Sequence, residues 1–118
     1  MKKVKKFLFI DDSKDFLEGL GELFVDDPNV IFVECHGAKS AIDLVNKHKP
    51  DVIFLDHHLT RACNGEGLKV AYALSKRKDI TIYSTTGDTS VQSKYKSLGI
   101  ESIDKLCINK FVEIIENK

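Results

Sequence analysis

Five short apolar runs, each followed by a segment of helical periodicity, constrain the fold of this 118-residue chain more than any other feature. The runs are rich in β-branched and aromatic residues and cover residues 7–10, 30–33, 52–55, 80–83 and 100–103. Most are continuously apolar rather than alternating, as expected for strands that are covered on both faces. They therefore predict five strands of a parallel sheet.

Apolar residues recur at helical spacing in the segments that follow these runs. The first set ends before Pro28, the second near Pro50, and the fourth is closed by Gly99 as a helix C-cap. The five sets are Phe16, Leu17, Leu20, Leu23 and Phe24; Ala38, Ala41, Ile42 and Val45; Leu68, Ala71 and Leu74; Val91, Tyr95 and Leu98; and Ile108, Phe111, Val112 and Ile115. Strict alternation predicts an α/β fold with helices on both faces of the sheet, and the length favours a single domain over residues 1–118.

Composition narrows the class of function. Lys plus Arg and Asp plus Glu each number 18, so the chain lacks the basic excess of most nucleic-acid-binding proteins, and we expect no direct nucleic-acid partner. No apolar stretch approaches the roughly 18 residues that a membrane span needs. The three scattered cysteines, Cys35, Cys63 and Cys107, fit a reducing compartment. We therefore expect a cytoplasmic protein with no membrane partner.

Polar residues follow the predicted strands where each strand ends. In parallel α/β sheets these carboxyl ends meet at one edge, where ligands bind. The residues are Asp11 and Asp12 after the first strand, Asp56 after the third, Ser84, Thr85 and Thr86 after the fourth, and Lys105 after the fifth. Three neighbouring acids cannot all stay ionised without a cation, and an all-oxygen site suits Mg²⁺. An acid beside Mg²⁺, a lysine and a hydroxyl can accept a phosphoryl group.

The chain resembles the response-regulator receiver domains of two-component signalling along essentially its whole length. The resemblance is carried by four motifs in order: Asp11-Asp12, Asp56 after "VIFL", Thr86-Gly87, and Lys105. It implies a flavodoxin-like, doubly wound (βα)5 fold with a five-stranded parallel sheet in the order 2-1-3-4-5.

The resemblance also implies a role for each residue of these motifs. Asp56 would accept the phosphoryl group, and Mg²⁺ would be held by Asp11, Asp12, Asp56 and the backbone carbonyl of His58. Thr86 would hydrogen-bond the phosphoryl group, and Lys105 would pair with one of its oxygens. Such a domain catalyses only its own phosphorylation and dephosphorylation, so it is not an enzyme acting on other substrates.

Two kinds of partner follow from the resemblance. The phosphoryl donor would be a sensor histidine kinase or a histidine phosphotransfer protein. The downstream protein target would bind the face formed by the fourth helix, the fifth strand and the fifth helix. The domain would act as a monomer or as a phosphorylation-dependent dimer.

Several positions depart from the family pattern. Thr60 replaces a proline, and the following loop, "TRACNGEG", is longer than usual. Leu106 replaces the proline that usually follows the lysine through a cis bond. Ser102 replaces the aromatic residue that acts as a rotamer switch, and the segment from Thr86 to Lys105 is short. These differences bear on how a signal leaves the domain more than on the chemistry at Asp56.

Other interpretations of single residues stay open. Asp11 and Asp12 are also typical of a solvated helix start, Ser84 or Thr85 can replace Thr86 as the phosphoryl-binding hydroxyl, and Lys105 can be a plain surface lysine. His57 and His58, near Cys63, suggest zinc. Adjacent side chains point to opposite sides of an extended chain, so we expect exposed loop histidines instead.

Competing functions are also open. A degenerate receiver would bind partners without phosphorylation. A small Mg²⁺-dependent phosphatase of the haloacid dehalogenase type needs Asp-x-Asp, whereas this chain has Asp11-Asp12-Ser13. A flavin mononucleotide binder needs a phosphate-cradling loop after the first strand, and "DDSKD" is acidic there.

Overall fold

The computed structural model describes residues 5–58 and 66–117 of the chain. Strands and helices alternate strictly through these ranges. The strands are β1 (Phe7–Asp11), β2 (Val30–Glu34), β3 (Val52–Leu55), β4 (Thr81–Ser84) and β5 (Glu101–Ser102). The helices are α1 (Lys14–Leu23), α2 (Ala38–His48), α3 (Glu66–Leu74), α4 (Thr89–Lys96) and α5 (Ile108–Asn117).

All five strands form one parallel sheet in the order β2-β1-β3-β4-β5. The flavodoxin-like prediction is therefore confirmed. The central strand β1 pairs with β2 on one side and β3 on the other, so Phe9 lies opposite both Phe32 and Phe54. The chain changes direction along the sheet at β1 and β3, and this switch places the carboxyl ends of the two strands beside a crevice.

The strands are apolar throughout because both faces of the sheet are covered. Leu8, Ile10, Ile53, Leu55 and Ile82 pack on one face with buried residues of α2, α3 and α4. The intervening residues, including Phe7, Phe9, Phe54 and Tyr83, pack on the other face with buried residues of α1 and α5. Successive side chains of a strand thus enter different cores, which explains why the sequence runs do not alternate.

Aromatic rings stack across four strands on the face covered by α1 and α5. The ring centroid of Phe9 lies 5.0 Å from that of Phe32 and 4.3 Å from that of Phe54, and Phe54 lies 5.5 Å from Tyr83. Phe111 of α5 meets Phe9 and Phe54 edge-on, with centroids 5.7 and 5.5 Å away. These stacked and edge-to-face rings fix α5, and hence the loop that precedes it, against the centre of the sheet.

Several element ends differ from the sequence prediction by a residue or more. β5 is shorter than residues 100–103, and α4 ends at Lys96 rather than running to Gly99. Gly99 still closes this end of the helix as predicted, because it has a φ of 78°, a conformation that favours glycine, and its amide donates to the carbonyl of Lys96 at 2.9 Å. The amide of Ile100 donates to the carbonyl of Tyr95 at 3.0 Å, so the chain turns toward the sheet before another helical turn forms.

Two side chains cap the helices that begin beside the carboxyl edge of the sheet. The hydroxyl of Ser13 accepts from the amide of Phe16 at the start of α1, and the carboxylate of Asp88 accepts from the amide of Ser90 at the start of α4. Within the described ranges, no helix combines the length and apolar character that crossing a membrane requires.

Phe54 lies at the centre of the aromatic core between the sheet and α1 and α5, where its ring contacts Phe9, Tyr83 and Phe111, and it is 1% exposed. We expect Phe54→Ala to lower the free energy of unfolding by about 3 to 5 kcal/mol, and Phe54→Leu by about 1.5 kcal/mol or less. Urea unfolding monitored by circular dichroism measures both values. Tyr72→Ala is the control because Tyr72 is 64% exposed, and a loss at Tyr72 equal to that at Phe54 would contradict the prediction.

Candidate functional site at the carboxyl edge of the sheet

Three carboxylates meet at the carboxyl ends of β1 and β3. One oxygen each of Asp11, Asp12 and Asp56 lies within 4.8 Å of the others. Asp11 and Asp56 are 1% and 5% exposed, while Asp12 is half-buried. The register of the parallel pair produces this arrangement, because Ile10 lies opposite Leu55 and each acid directly follows. Like charges this close in a buried place cannot all stay ionised without a cation.

Lys105 supplies one positive charge to the cluster. Its Nζ lies 2.9 Å from Oδ2 of Asp11 and 3.1 Å from Oδ1 of Asp56, so one ammonium bridges both buried acids. The same Nζ sits 5.0 Å from the ring centroid of Phe16 in α1, within the range of a cation–π contact. Lys105 is therefore not a plain surface lysine.

The electrostatics of the cluster favour protonation of its acids. Burial, reinforced by the charge of Asp11 and contact with Asp12 and opposed by Lys105, raises the pKa of Asp56 to about 7. Burial likewise raises the pKa of Asp11, against the lowering effect of Lys105 and of the Ser13 amide. Burial alone would lower the pKa of Lys105, but its hydrogen bonds and charge interactions with both acids outweigh it and raise that pKa.

The oxygen set fits a hard divalent cation. Oδ2 of Asp56 is buried and has no hydrogen-bond partner among the described residues, so it is available as a ligand. Two further carboxylates lie beside it, and Mg²⁺ prefers one or two carboxylates with water and phosphate oxygens. Asp11, Asp12 and Asp56 are thus the residues that can hold such an ion. His58, whose backbone carbonyl is a predicted ligand, lies two residues beyond Asp56 and is exposed.

The loop that presents Lys105 is held by a side chain rather than by a proline. The described residues contain no cis peptide bond, so the Lys105–Leu106 bond is trans. The amide of Leu106 donates to Oδ1 of Asp104 at 2.9 Å, and the amide of Cys107 donates to the carbonyl of Asp104 at 2.9 Å. A proline at position 106 has no amide hydrogen for the first bond, so Asp104 provides a different way of fixing the turn.

Gly67 places α3 directly against the main chain of the site. A Cβ at this position would lie 2.1 Å from the carbonyl oxygen of Asp56 and 2.7 Å from Cα of His57. The amide of Gly67 also donates to the carbonyl of His57 at 2.9 Å. Only glycine permits this approach, so Gly67 fixes the backbone that carries Asp56.

The three candidate hydroxyls differ in their surroundings. Ser84 and Thr85 are buried, and neither hydroxyl has a hydrogen-bond partner among the described residues. Oγ1 of Thr86 accepts from the amide of Asp88 at 3.2 Å, and the carbonyl of Thr86 accepts from Nε2 of Gln92 at 2.7 Å. Thr86 is thereby tied to the first turns of α4. Its role toward a phosphoryl group stays a prediction.

The expectation of two exposed loop histidines is right for His58 and wrong for His57. His57 is 6% exposed, and its Nδ1 lies 2.8 Å from the hydroxyl of the fully buried Tyr95. Burial, together with the charges of His58 and Lys94, lowers the pKa of His57. The two histidine rings meet edge to face with centroids 4.6 Å apart, and both residues lie beyond the end of β3 at Leu55, where strand alternation no longer applies. The group of described residues that could hold a metal ion contains neither histidine.

Sequence reasoning found the charged cluster but missed the residues that support it. Gly67, Asp104 and the pair His57–Tyr95 were not among the predicted site residues. One feature of the sequence could have indicated the role of Gly67: a glycine stands in the first turn of the predicted helix that follows Asp56. Thr60, Cys63 and most of the long loop lie outside the described residues, so their predictions are not addressed by the structure.

Comparison with known proteins assigns the family. The model of the response regulator receiver domain matches residues 7–112, so the chain belongs to this family. Receiver domains of this family act in signalling through phosphoaspartate and interact with histidine kinases and downstream effectors. No curated protein matches the sequence.

Solved structures of receiver domains share the fold at low sequence identity. The response regulator domain of Thermotoga maritima CheB is 19% identical with a TM-score of 0.71, over 98% of this chain and 96% of that one. The receiver domain of NtrX from Brucella abortus is 19% identical with a TM-score of 0.72, over 95% and 96%. The receiver domain of the Francisella response regulator 1452 is 20% identical with a TM-score of 0.67, over 95% and 93%.

We expect Gly67→Ala to lower the free energy of unfolding by about 1 to 3 kcal/mol or more, because the new Cβ overlaps the backbone of Asp56 and His57. Gly19→Ala is the matched control in α1, where a Cβ meets no atom within 4 Å. The free energy of unfolding of this control should rise by about 0.5 to 1 kcal/mol, because alanine has a higher helix propensity than glycine. Urea unfolding measures the change in free energy of unfolding for both variants. Equal changes would contradict the close backbone approach at Gly67.

Asp56 should make the stability of the metal-free protein depend on pH. The pKa of Asp56 is about 7 in the folded state, above the value of about 3.9 for an unfolded chain. The folded state then holds this proton more tightly, so the free energy of unfolding falls as pH rises from about 4 to about 7 and levels off above. The free energy of unfolding of Asp56→Asn should lack this part of the fall and should exceed that of the wild type above pH 7 by at most about 4 kcal/mol, since the two pKa values differ by about three units.

Thermal melts across this pH range, in a chelator and again in Mg²⁺, measure the effect. Added Mg²⁺ should stabilise the wild type more than Asp56→Asn, because a ligand that binds only the folded state raises its stability. Asp79→Asn is the control, since Asp79 pairs with Arg77 on the surface. Identical pH profiles for the wild type and Asp56→Asn would show that Asp56 titrates normally.

Proposed function

We propose that this domain accepts a phosphoryl group on Asp56 from a phosphohistidine and passes the resulting signal to a protein partner. Asp11, Asp12, Asp56 and the backbone carbonyl of His58 would hold Mg²⁺. The observation that carries the proposal is the convergence of three carboxylates within 4.8 Å, with the Lys105 ammonium 3.1 Å from Asp56. Family membership supports the same assignment.

The transfer step is a displacement at phosphorus. Oδ2 of Asp56 attacks, a P–O bond to the carboxylate forms, and the P–N bond of the phosphohistidine breaks. The electron pair of that bond stays on the leaving imidazole, which takes up a proton from solvent. Bound Mg²⁺ would neutralise charge on the phosphoryl oxygens.

The residues around Asp56 have complementary tasks in this step. Lys105 already touches Oδ1 of Asp56, so its ammonium can pair with a phosphoryl oxygen by a small movement. Thr86 would hydrogen-bond another oxygen by donating its O–H, which is free to donate because its oxygen acts only as an acceptor toward the amide of Asp88. Because Thr86 is also bonded to Gln92 of α4, its inward movement would pull on that helix.

The partners follow from the family and from the surface near α4. The donor would be a sensor histidine kinase or a histidine phosphotransfer protein, and the signal would leave through the face of α4, β5 and α5. A groove of about 570 Å³ lies there, lined by residues that include Gln92, Ser93, Lys96, Glu101 and Ser102. We propose a single cytoplasmic domain over residues 1–118, acting as a monomer or as a phosphorylation-dependent dimer.

Intact mass after incubation with acetyl phosphate tests the proposal. We expect the wild type to gain the mass of one phosphoryl group in Mg²⁺ and none in a chelator, because the acids need the ion to face a phosphoryl donor. Asp56→Asn should gain nothing, while Asp79→Asn should behave as the wild type. A purified histidine kinase with ATP serves as a second donor.

The remaining outcomes separate the competing functions. A mass gain retained in Asp56→Asn would move the acceptor to another residue. A wild type that stays unmodified with both donors would favour a degenerate receiver that binds partners without phosphorylation. Steady release of phosphate from small phosphoesters would favour the phosphatase alternative.

A further inference from the structure

A buried polar pair connects the phosphoacceptor strand to α4, and the transfer step makes no use of it. The Nδ1 of His57 and the hydroxyl of Tyr95 lie 2.8 Å apart, and their rings meet edge to face with centroids 5.5 Å apart. His57 directly follows Asp56, and Tyr95 lies near the C-terminal end of α4. Both side chains are buried, so water does not compete for this hydrogen bond.

His57 is held in place by the backbone on both sides. The amide of Asp56 donates to the carbonyl of Ile10 at 2.9 Å, and the carbonyl of His57 accepts from the amide of Gly67 at 2.9 Å. The close approach of Gly67 leaves no room for this backbone to move toward α3. His57 is therefore a fixed point relative to the sheet.

The opposite end of α4 is attached to the loop after β4. Thr86 accepts from the amide of Asp88 through its hydroxyl and from the side chain of Gln92 through its carbonyl. The loop also contains Gly87, which is exposed. Any inward movement of Thr86 therefore acts on the first turns of α4. The hydrogen bond between His57 and Tyr95 opposes the same movement near the other end of the helix.

Tyr95 also organises the turn from α4 to β5. Its carbonyl accepts from the amides of Leu98 at 2.9 Å and Ile100 at 3.0 Å. Ile100 and the residues after it line the groove between α4 and β5. Ser102, which replaces the aromatic residue expected on β5, is too small to carry a movement from the site to this groove.

We propose that the His57–Tyr95 hydrogen bond is a latch that holds α4 in its resting position until Asp56 is modified, an inference that rests on the proposed function. Moving α4 relative to the fixed His57 breaks the bond, so the bond stabilises the resting arrangement over the activated one. By linkage, whatever stabilises the resting arrangement weakens binding of a phosphoryl group or its analogue at Asp56.

Removing one hydroxyl tests the latch. Tyr95→Phe keeps the ring and deletes the bond, so beryllium fluoride with Mg²⁺, an analogue of the phosphoryl group, should bind about five-fold or more tightly. Amides of residues 92–98 should also exchange with solvent about five-fold or more rapidly in the unmodified protein. A role of Tyr95 in packing alone would speed exchange without tightening the binding of beryllium fluoride.

The control is Tyr83→Phe, which removes a hydroxyl from another buried tyrosine on the opposite face of the sheet. It should bind beryllium fluoride as the wild type does. His57→Leu removes the other half of the pair and should reproduce the tighter binding of Tyr95→Phe. The double variant should add little, because either change alone deletes the bond.

Two results would overturn the latch. If Tyr95→Phe and His57→Leu bind beryllium fluoride as the wild type does or more weakly, while acetyl phosphate still labels Asp56, the pair is structural and the proposed function stands. If the wild type is neither labelled by acetyl phosphate or a kinase nor binds beryllium fluoride, the proposed function fails and the latch fails with it.

Discussion

The repulsion between Asp11 and Asp56 at the ends of two adjacent strands is the constraint around which this domain is arranged. Strand register brings the acids together, and burial makes their charges costly. A positive charge beside these acids therefore stabilises them, and Lys105, in the loop after β5, supplies it. The position of that loop depends in turn on α5, whose Phe111 packs edge-on against Phe9 and Phe54.

The site is rigid on one side and adjustable on the other. Gly67 and two backbone hydrogen bonds hold the main chain at Asp56 and His57. The loop after β4 contains Thr86, tied to α4 by two bonds, and an exposed glycine. Under the proposed function, a phosphoryl group added at Asp56 would therefore meet a fixed wall on the side of α3, and any displacement would be directed toward α4. This asymmetry would give a direction to the response of a receiver domain that lacks the usual aromatic residue on β5.

Much of this arrangement could be predicted from the sequence because it follows from periodicity. Continuous apolar strands predicted a covered parallel sheet, and the rule for strand ends predicted that Asp11, Asp12, Asp56 and Lys105 would lie together. The helical spacing predicted that Tyr95 is buried. What the sequence could not predict was the partner of its hydroxyl, because His57 lies just past the strand end, where side-chain alternation no longer applies.

The close approach of Gly87 to Asp104 makes the effect of a substitution at one of these positions depend on the residue at the other. A Cβ at position 87 would lie 2.6 Å from Oδ2 of Asp104, so the two loops that carry Thr86 and Lys105 share one small space. A larger residue at 87 displaces the carboxylate, which then no longer accepts from the amide of Leu106. Positions 87, 104 and 106 are thus coupled through one carboxylate, and a proline at 106, which has no amide hydrogen, would remove one of its two constraints.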